Sequence, residues 1–336
     1  MIVTLTPNPS IDRTVEVDAL ERGAVSRARG GRIDPGGKGI NIAGALVAHT
    51  RPVVAVLPSG GWEGAHLTKL LEQEGITSVV VPIAGATRAN ISVVEPDGTV
   101  TKLNEPGPHL APEEIEALLD ATTRAAAGAD WVVGCGSLPP GPDDDFYALV
   151  VERLAGSGTK VAIDTSGPTL RKSLEAGPDV AKPNLEELSE AAGTPIVTLG
   201  DALEAARGVR DRGVGTVIAS LGADGALYVD DRQEAHAEAP AKRIRSAVGA
   251  GDALLAGFLA HGGRGLEAFA TGLAWAAAAV SLPGSRMPGP RDVDLSVVRV
   301  HDQIEGHRIL DRTARPAGGT DRSTVSVGGD GREGDA

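Results

Sequence analysis

The segment Val248-Gly249-Ala250-Gly251-Asp252-Ala253 carries the strongest signal in this chain of 336 residues. Apolar residues at helical spacing follow it, namely Leu254, Leu255, Phe258 and Leu259. The pattern predicts a glycine-rich turn that leads into a buried helix. Free backbone N–H groups and the positive end of the dipole make such a helix start a site for phosphate oxygens. We therefore expect an anion site with Asp252 beside it, although the position also suits an Asp that only caps or charges the first turn.

A second glycine-rich segment, Asp34-Pro35-Gly36-Gly37-Lys38-Gly39-Ile40-Asn41, also leads into an amphipathic helix. It lacks the spacing of the Walker nucleotide loop, in which the lysine precedes Ser or Thr. A flexible turn with a solvated lysine is the other interpretation. Asp12 follows the first predicted strand, where an Asp is either a turn former or, because α/β sheets bind ligands at strand ends, a site residue.

The composition indicates the kind of core. Hydrophobic residues make up 41% of the chain and aromatic residues only 2%, so Val, Leu, Ile and Ala must fill it, as in a buried parallel sheet covered by helices. The single cysteine, Cys135, excludes an internal disulfide framework, and no basic and apolar leader precedes the first strand. We therefore expect a cytoplasmic protein.

The net charge and the length of the longest apolar stretch argue against nucleic acid and membranes as partners. The net charge of −13 argues against binding to nucleic acid or to anionic membranes. The longest apolar stretch, around 273–282, is about half of the ~20 residues needed to cross a bilayer. Seven scattered histidines and one cysteine show no metal-ligand spacing.

Short apolar runs alternate with helical patterns along most of the chain. The runs are Val53–Leu57, Trp131–Cys135, Val161–Asp164 and Thr216–Leu221, and the helical patterns cover 112–127, 143–156, 184–192 and 200–213. This alternation predicts an α/β fold, a doubly wound and mostly parallel sheet with helices on both faces.

Two regions break the alternation, 12–34 and 88–104, and the second contains the hairpin signal Pro96-Asp97-Gly98. We expect them to form a small β-lid on one main domain that spans 1–311. Residues 312–336 contain few large apolar side chains, which predicts a disordered tail.

Three further segments fit a phosphate and nucleotide cleft because each lies at a predicted strand end. They are Gly136-Ser137-Leu138-Pro139-Pro140-Gly141, Lys182-Pro183-Asn184-Leu185-Glu186-Glu187 and Ser220-Leu221-Gly222-Ala223-Asp224-Gly225-Ala226. Arg88 and Asn90 add hydrogen-bond donors from the lid. Taken singly, each segment fits a plain connection better than a site, and Arg88 fits a solvated surface residue equally well; a site is favoured by their joint placement at one edge of the sheet.

Together these motifs resemble those of the ribokinase-type carbohydrate kinases, in particular the branch that contains 1-phosphofructokinases and tagatose-6-phosphate kinases. The resemblance covers roughly residues 1–310. It rests on Thr6-Pro7-Asn8-Pro9-Ser10-Ile11-Asp12, Pro35-Gly36-Gly37-Lys38-Gly39-Ile40-Asn41, Thr87-Arg88-Ala89-Asn90, Asn104-Glu105-Pro106-Gly107-Pro108, Lys182-Pro183-Asn184 and Gly249-Ala250-Gly251-Asp252.

The resemblance implies a role for each site residue. Asp252 would be the catalytic base, and the amides of Gly249, Ala250 and Gly251 the anion hole. The sugar hydroxyls would be held by Asp12, Gly36, Gly37 and Asn41, and the phosphate already on the sugar by Lys38, Arg88, Asn90 and Ser137. ATP would face Lys182, Asn184, Glu187, Ser220, Gly222 and Gly225, with Glu187 placing Mg²⁺ through water.

The resemblance also implies a reaction and an assembly. The expected reaction is phosphorylation of fructose 1-phosphate at its C6 hydroxyl, with tagatose 6-phosphate or fructose 6-phosphate as alternative substrates. Asn90 and the 104–108 segment favour the first, whereas Ala253 favours a tagatose-6-phosphate kinase. The lid would join two subunits in a homodimer. A catalytically silent sugar-phosphate sensor is the alternative of another class.

Overall fold

The computed structural model describes residues 1–241, 243–301 and 303–311. The predicted tail, 312–336, lies outside these residues. The described strands are β1 (Ile2–Leu5), β2 (Ser10–Glu16), β3 (Gly30–Gly36), β4 (Val53–Ser59), β5 (Ser78–Pro82), β6 (Arg88–Val94), β7 (Val100–Asn104), β8 (Trp131–Cys135), β9 (Lys160–Asp164), β10 (Val180–Ala181), β11 (Thr216–Ser220), β12 (Ala226–Val229), β13 (Glu234–Glu238) and β14 (Arg299–His301).

The described helices are interspersed with these strands along the chain. They are α1 (Lys38–Ala48), α2 (Gly61–Gln73), α3 (Pro112–Ala125), α4 (Phe146–Leu154), α5 (Gly167–Glu175), α6 (Leu185–Ala192), α7 (Leu199–Arg210), α8 (Ala250–Ala260) and α9 (Gly265–Val280), with 3₁₀ turns at Gly222–Asp224 and Leu295–Val297. None of the described helices combines the length and the apolar character that crossing a membrane requires.

The large sheet has the strand order β14-β13-β12-β11-β10-β9-β8-β1-β4-β5. All pairs from β5 through β11 are parallel, and β12, β13 and β14 continue the sheet in antiparallel pairing. This confirms the predicted doubly wound, mostly parallel sheet. Because the parallel strands share one direction, their carboxyl ends form a single edge where the loops that follow them can meet.

Two apolar cores cover the two faces of the large sheet. One includes Leu46 of α1, Leu67 of α2, Phe258 of α8 and Trp275 of α9. The other is built by side chains of helices α3 to α7. The helical patterns read from the sequence therefore pack on both faces, and the buried aliphatic strands lie between them.

A separate four-stranded sheet has the order β3-β2-β6-β7. Its strands come largely from the two regions that break the βαβ alternation. β6 and β7 pair as an antiparallel hairpin around 95–99, with a backbone hydrogen bond from Glu95 to Thr99. β3 runs into Gly36, directly before α1, so the small sheet is joined covalently to the glycine-rich segment of the site.

Candidate active site

Helix α8 begins where the sequence predicts an anion-binding turn. Its cap residue is Gly249, which has a φ of 80°, and no side chain caps this helix. An added Cβ at Gly249 would meet only the flexible end of the Met287 side chain, so it is the left-handed backbone conformation that favours glycine here. Because the first N–H groups of a helix have no intrahelical acceptor, this end can receive phosphate oxygens.

Asp252 lies in the first turn of α8 but is not its cap. The residue is 6% exposed, and Nδ2 of Asn41 on α1 donates a hydrogen bond of 2.8 Å to its Oδ2. Burial, followed by the negative charge of Asp164, raises the pKa of Asp252, while Lys38 and the Asn41 hydrogen bond oppose the rise. A buried carboxylate of raised pKa, held in one orientation, has the properties of a general base.

Two lysines meet on one carboxylate next to this base. Nζ of Lys38 lies 2.7 Å from Oδ1 of Asp164, and Nζ of Lys182 lies 3.1 Å from Oδ2. The Asp164 side chain is fully buried. Burial alone would raise its pKa, but the charges of Lys182 and Lys38 outweigh it and hold the pKa below its usual range. Burial alone would lower the pKa of Lys38. The negative charges of Asp164, Glu187 and Asp252 outweigh burial and raise this pKa, so the lysine stays charged.

Lys182 also lies beside the anion-binding turn. An added Cβ at Gly251 would lie 3.1 Å from Nζ of Lys182. Glycine at this position therefore lets a buried ammonium group approach the backbone at the start of α8. The arrangement adds a cationic side chain, which also pairs with Asp164, to the helix dipole at this anion site.

Asn184 and Glu187 form a reciprocal capping box at the start of α6. The side chain of Asn184 accepts from N–H of Glu187 at 2.9 Å, and Oε2 of Glu187 accepts from N–H of Asn184 at 2.8 Å. Burial raises the pKa of Glu187. The positive charges of Lys38 and Lys182 lower this pKa, whereas the negative charge of Asp164 raises it. Glu187 therefore has a structural role and shares the electrostatic environment of the site.

A cluster of polar side chains on the small sheet lies next to Gly36, at the end of the 36–41 segment opposite to Asn41. The hydroxyl of Ser10 donates to Oδ1 of Asp12 at 2.7 Å, and Nδ2 of Asn90 donates to the same Oδ1 at 3.0 Å. An added Cβ at Gly36 would lie 2.3 Å from this oxygen. The backbone between Gly36 and Asn41 therefore connects Asp12 to the hydrogen-bond partner of Asp252.

Arg88 binds two backbone carbonyls. Nη1 donates to O of Glu105 at 2.9 Å and Nη2 to O of Asn8 at 3.0 Å, while its Nε is buried and has no hydrogen-bond partner. Burial lowers the pKa of Arg88, against the effects of Asp12 and Glu105. Asn8 in turn donates to Oγ of Ser137 at 3.3 Å, which brings Ser137 to this group.

Ser220, Gly222 and Gly225 lie in the turn that follows β11. Ser220 forms a parallel bridge with Asn184, so the turn stands at the carboxyl edge of the sheet next to the 182–187 segment. Gly222 and Gly225 have φ values of 65° and 82°. An added Cβ at Gly225 would lie 2.1 Å from O of Ala237, so a side chain has no room there.

The model of the family described as "pfkB family carbohydrate kinase" matches residues 5–291. The chain belongs to this family of carbohydrate kinases. It is 39% identical to the 1-phosphofructokinase of Rhodobacter capsulatus over 86% of this chain and 93% of that protein.

Another phosphofructokinase and a solved structure are also similar to this pfkB kinase. The ATP-dependent 6-phosphofructokinase isozyme 2 of Mycobacterium tuberculosis is 35% identical over 87% of this chain and 88% of that protein. The crystal structure of phosphofructokinase-2 from Escherichia coli superimposes with a TM-score of 0.82 and 31% identity, covering 87% of this chain and 96% of that one. The family resemblance read from the motifs and the ribokinase-like fold are thereby confirmed.

One acidic residue of this site, Asp164, is not among the site residues predicted from the motifs. Asp164 was assigned only to the end of a predicted strand, yet in the structure it joins Lys38 and Lys182. A weak signal was present, because a charged residue that ends a buried strand lies at the carboxyl edge where ligands bind. Lys38, predicted to hold the phosphate of the sugar, is paired with Asp164 in the structure.

Proposed function

We propose that this chain transfers the terminal phosphoryl group of ATP to the C6 hydroxyl of fructose 1-phosphate, giving fructose 1,6-bisphosphate and ADP. The observation that carries the proposal is the buried carboxylate of Asp252, held by Asn41 at the open start of α8. The 1-phosphofructokinase relative, which aligns with most of the chain, supports the choice of acceptor. ATP is the donor that membership of a carbohydrate kinase family implies.

In this proposal, Asp252 accepts the proton of the C6 hydroxyl as that oxygen bonds to the γ-phosphorus. The bond from the phosphorus to the bridging oxygen breaks at the same time, and ADP leaves with the electron pair. Phosphoryl transfer asks the protein for alignment and charge stabilisation more than for covalent chemistry. The amides of Gly249, Ala250 and Gly251, with Lys182 beside them, would stabilise the charge on the transferred group.

The sugar would lie between the small sheet and α1. Asp12, Gly36, Gly37 and Asn41 would bind its hydroxyls, and the closely packed glycines would let its ring approach the backbone. Lys38, Arg88, Asn90 and Ser137 are the proposed contacts for its existing phosphate. Arg88 suits this role because each of its Nη atoms, which binds one backbone carbonyl, has a second N–H that could donate to a phosphate.

The nucleotide would lie along the carboxyl edge of β10 and β11. The proposed contacts are Lys182, Asn184, Glu187, Ser220, Gly222 and Gly225. The bridge between Asn184 and Ser220 puts the two loops that carry them side by side. Lys182 then lies where the nucleotide side and the anion-binding turn meet.

Mg²⁺ is the metal that we propose to accompany ATP, with Glu187 contributing through water. In the described part of the chain, no group of three or more His, Cys, Asp or Glu side chains could hold a metal ion by itself. One oxygen of Glu187 is used in the capping box, which leaves the other for a coordinated water. This fits Mg²⁺, which keeps several waters and is usually bound by one or two carboxylates together with substrate phosphates. Bound there, the ion would supply neutralisation of phosphate charge.

Fructose 6-phosphate is the second candidate acceptor. The relative from Mycobacterium tuberculosis, a 6-phosphofructokinase, is nearly as similar to this chain as the 1-phosphofructokinase of Rhodobacter capsulatus. Fructose 6-phosphate carries its phosphate at the other end of the sugar and would present its C1 hydroxyl to Asp252. An acceptor panel therefore decides between the two.

The function is tested by measuring ADP release with ATP and Mg²⁺ and equal concentrations of fructose 1-phosphate, fructose 6-phosphate or tagatose 6-phosphate. We expect the highest kcat/KM with fructose 1-phosphate and a bisphosphate product in stoichiometric amount with ADP. A higher value with fructose 6-phosphate would make the chain a 6-phosphofructokinase. Sugar-phosphate binding by calorimetry without any ADP release would identify a sensor instead and contradict the kinase proposal.

We also propose that the small sheet joins two copies of this chain in a homodimer. The strand register puts Ile33, Arg13, Ile91 and Leu103 in one row across its four strands. Ile33 is 41% exposed and Leu103 is 60% exposed, and exposed apolar strands with open edges favour pairing. Leu103→Glu should halve the mass measured by light scattering. A wild-type chain that is already monomeric would contradict this proposal without affecting the kinase assignment.

A further inference from the structure

The carboxylate of Asp224 is buried in the turn between Gly222 and Gly225 but is held by residues far away in the sequence. Asp224 is 5% exposed. Its Oδ1 accepts from Nη2 of Arg308 at 2.6 Å, and its Oδ2 accepts from the backbone N–H of Asp311, also at 2.6 Å. Its backbone carbonyl lies 2.7 Å from Nε2 of His236 on β13.

The segment that supplies these partners, residues 304–311, is here called the C-terminal strap. It is anchored away from Asp224, because N–H of Leu199 donates to O of Arg308 and N–H of Leu310 donates to O of Val197. Leu310 is 3% exposed and packs in the core under helices α3 to α7. The strap is therefore fixed to the start of α7 and to the core independently of the turn that it contacts.

Arg308 links the turn to the sheet as well as to the strap. Its Nη1 lies 2.6 Å from Oε1 of Glu238 on β13 while Nη2 binds Asp224. A buried carboxylate that loses such a partner keeps its desolvation penalty and must move toward water. Since Asp224 lies within the turn itself, such a movement would displace Gly222 and Gly225.

We propose that Arg308 is a positioning residue for nucleotide binding, which sets the turn between Ser220 and Gly225 by holding Asp224. The inference rests on the proposed nucleotide contacts of this turn. It gives the C-terminal strap a role in ATP affinity, although the strap itself does not contact the nucleotide in this arrangement. The sugar side of the site, on the small sheet and α1, has no contact with Arg308 among the described hydrogen bonds and ion pairs.

The test compares Arg308→Ala with a matched control, Arg207→Ala. Arg207 also pairs with an acidic residue of β13, Glu234, through two contacts of 2.6 and 2.5 Å, but on the exposed surface. We expect Arg308→Ala to raise the Kd and the KM for ATP at least about tenfold, as the loss of a charge-assisted hydrogen bond implies. The KM for the sugar phosphate should change less than about twofold, and Arg207→Ala should resemble wild type.

Two further variants keep the inference open to refutation if Arg308→Ala does not fold. Arg308→Lys, which can hold Asp224 but not Glu238 at the same time, should recover part of the ATP affinity. Asp224→Asn should weaken ATP binding at unchanged sugar affinity. Equal changes for both substrates, or an ATP affinity as in wild type, would leave the strap with a structural role only.

The same experiment separates this inference from the proposed function. If wild type phosphorylates the sugar and Arg308→Ala behaves like Arg207→Ala, the inference fails alone. If wild type does not turn over, calorimetric ATP binding still decides whether Arg308 acts on the nucleotide. A wild type that does not bind ATP overturns both.

Discussion

Asn41 on α1 and Asp252 on α8 are 211 residues apart and meet through a hydrogen bond of 2.8 Å from Nδ2 to Oδ2. α1 begins directly after the Gly36-Gly37 segment, which also packs against Asp12. One helix start therefore connects the small sheet to the residue that we propose as the base. The proposed sugar contacts Gly36 and Gly37 are therefore separated from Asn41, the hydrogen-bond partner of Asp252, by only the first turn of α1.

Replacing the proposed base is the first test of the mechanism. Asp252→Asn preserves shape but cannot accept a proton, so kcat should fall by about 10²- to 10⁴-fold. Calorimetry should show that ATP and the sugar phosphate still bind. Retention of more than about a tenth of wild-type turnover would show that another group is the base.

The pH dependence of kcat should report the environment of Asp252. Burial and the charge of Asp164 raise its pKa above the usual 3.8, and only the deprotonated form can act as a base. Activity should therefore rise with pH through a limb that lies above the range of an ordinary aspartate. A rate that is constant down to pH 4 in a protein that remains folded would contradict this prediction.

Asn41→Ala should move the same limb in a defined direction. The Asn41 hydrogen bond lowers the pKa of Asp252, so its removal should raise that pKa further and shift the acidic limb of kcat to higher pH. At a pH well above the limb, the variant should recover much of its deficit. A uniform loss at every pH would instead mean that Asn41 acts only by binding the sugar.

The sequence predicted much of the fold because its signals are local. The apolar run Trp131–Cys135 is a strand with the same bounds, and the other three predicted runs are strands whose bounds differ by one or two residues. Contacts between distant residues could not be read in this way. Asp164 meets Lys38 across 126 positions and Arg308 meets Asp224 across 84, and each residue alone is compatible with a solvated charge or a strand end.

Asp164 should be important for stability as well as for the site. Its side chain is fully buried between two lysines, one of which, Lys182, is only 4% exposed. Asp164→Ala would leave this ammonium buried without its partner, and we expect a loss of about 3–5 kcal/mol in the free energy of unfolding. Denaturant titration measures it. Asp120→Ala is the matched control, since Asp120 pairs with Arg153 at the surface and should cost no more than about 1 kcal/mol.

Replacing Arg88 should weaken the binding of the sugar phosphate but not that of ATP. Its guanidinium holds the carbonyls of Asn8 and Glu105, and it is a proposed contact for the phosphate of the sugar. Arg88→Ala should raise the KM for the sugar phosphate far more than the KM for ATP. Arg88→Lys should restore little, because one ammonium cannot span two carbonyls and a phosphate. Equal changes in both KM values would instead indicate a general loss of structure.

The last prediction concerns the segments 12–34 and 88–104, which contribute to the small sheet and carry Asp12 and Asn90. We predict that they form a lid that closes over the sugar, because closure would bring these donors to the substrate and exclude water that could otherwise accept the phosphoryl group. Saturating sugar phosphate should then slow amide hydrogen exchange in both segments together, while the mass measured by light scattering stays constant. α3, which packs under the large sheet, is the internal control and should exchange at the same rate with and without ligand. If exchange in the two segments does not change while the sugar is bound, the small sheet is static and serves only contact between subunits.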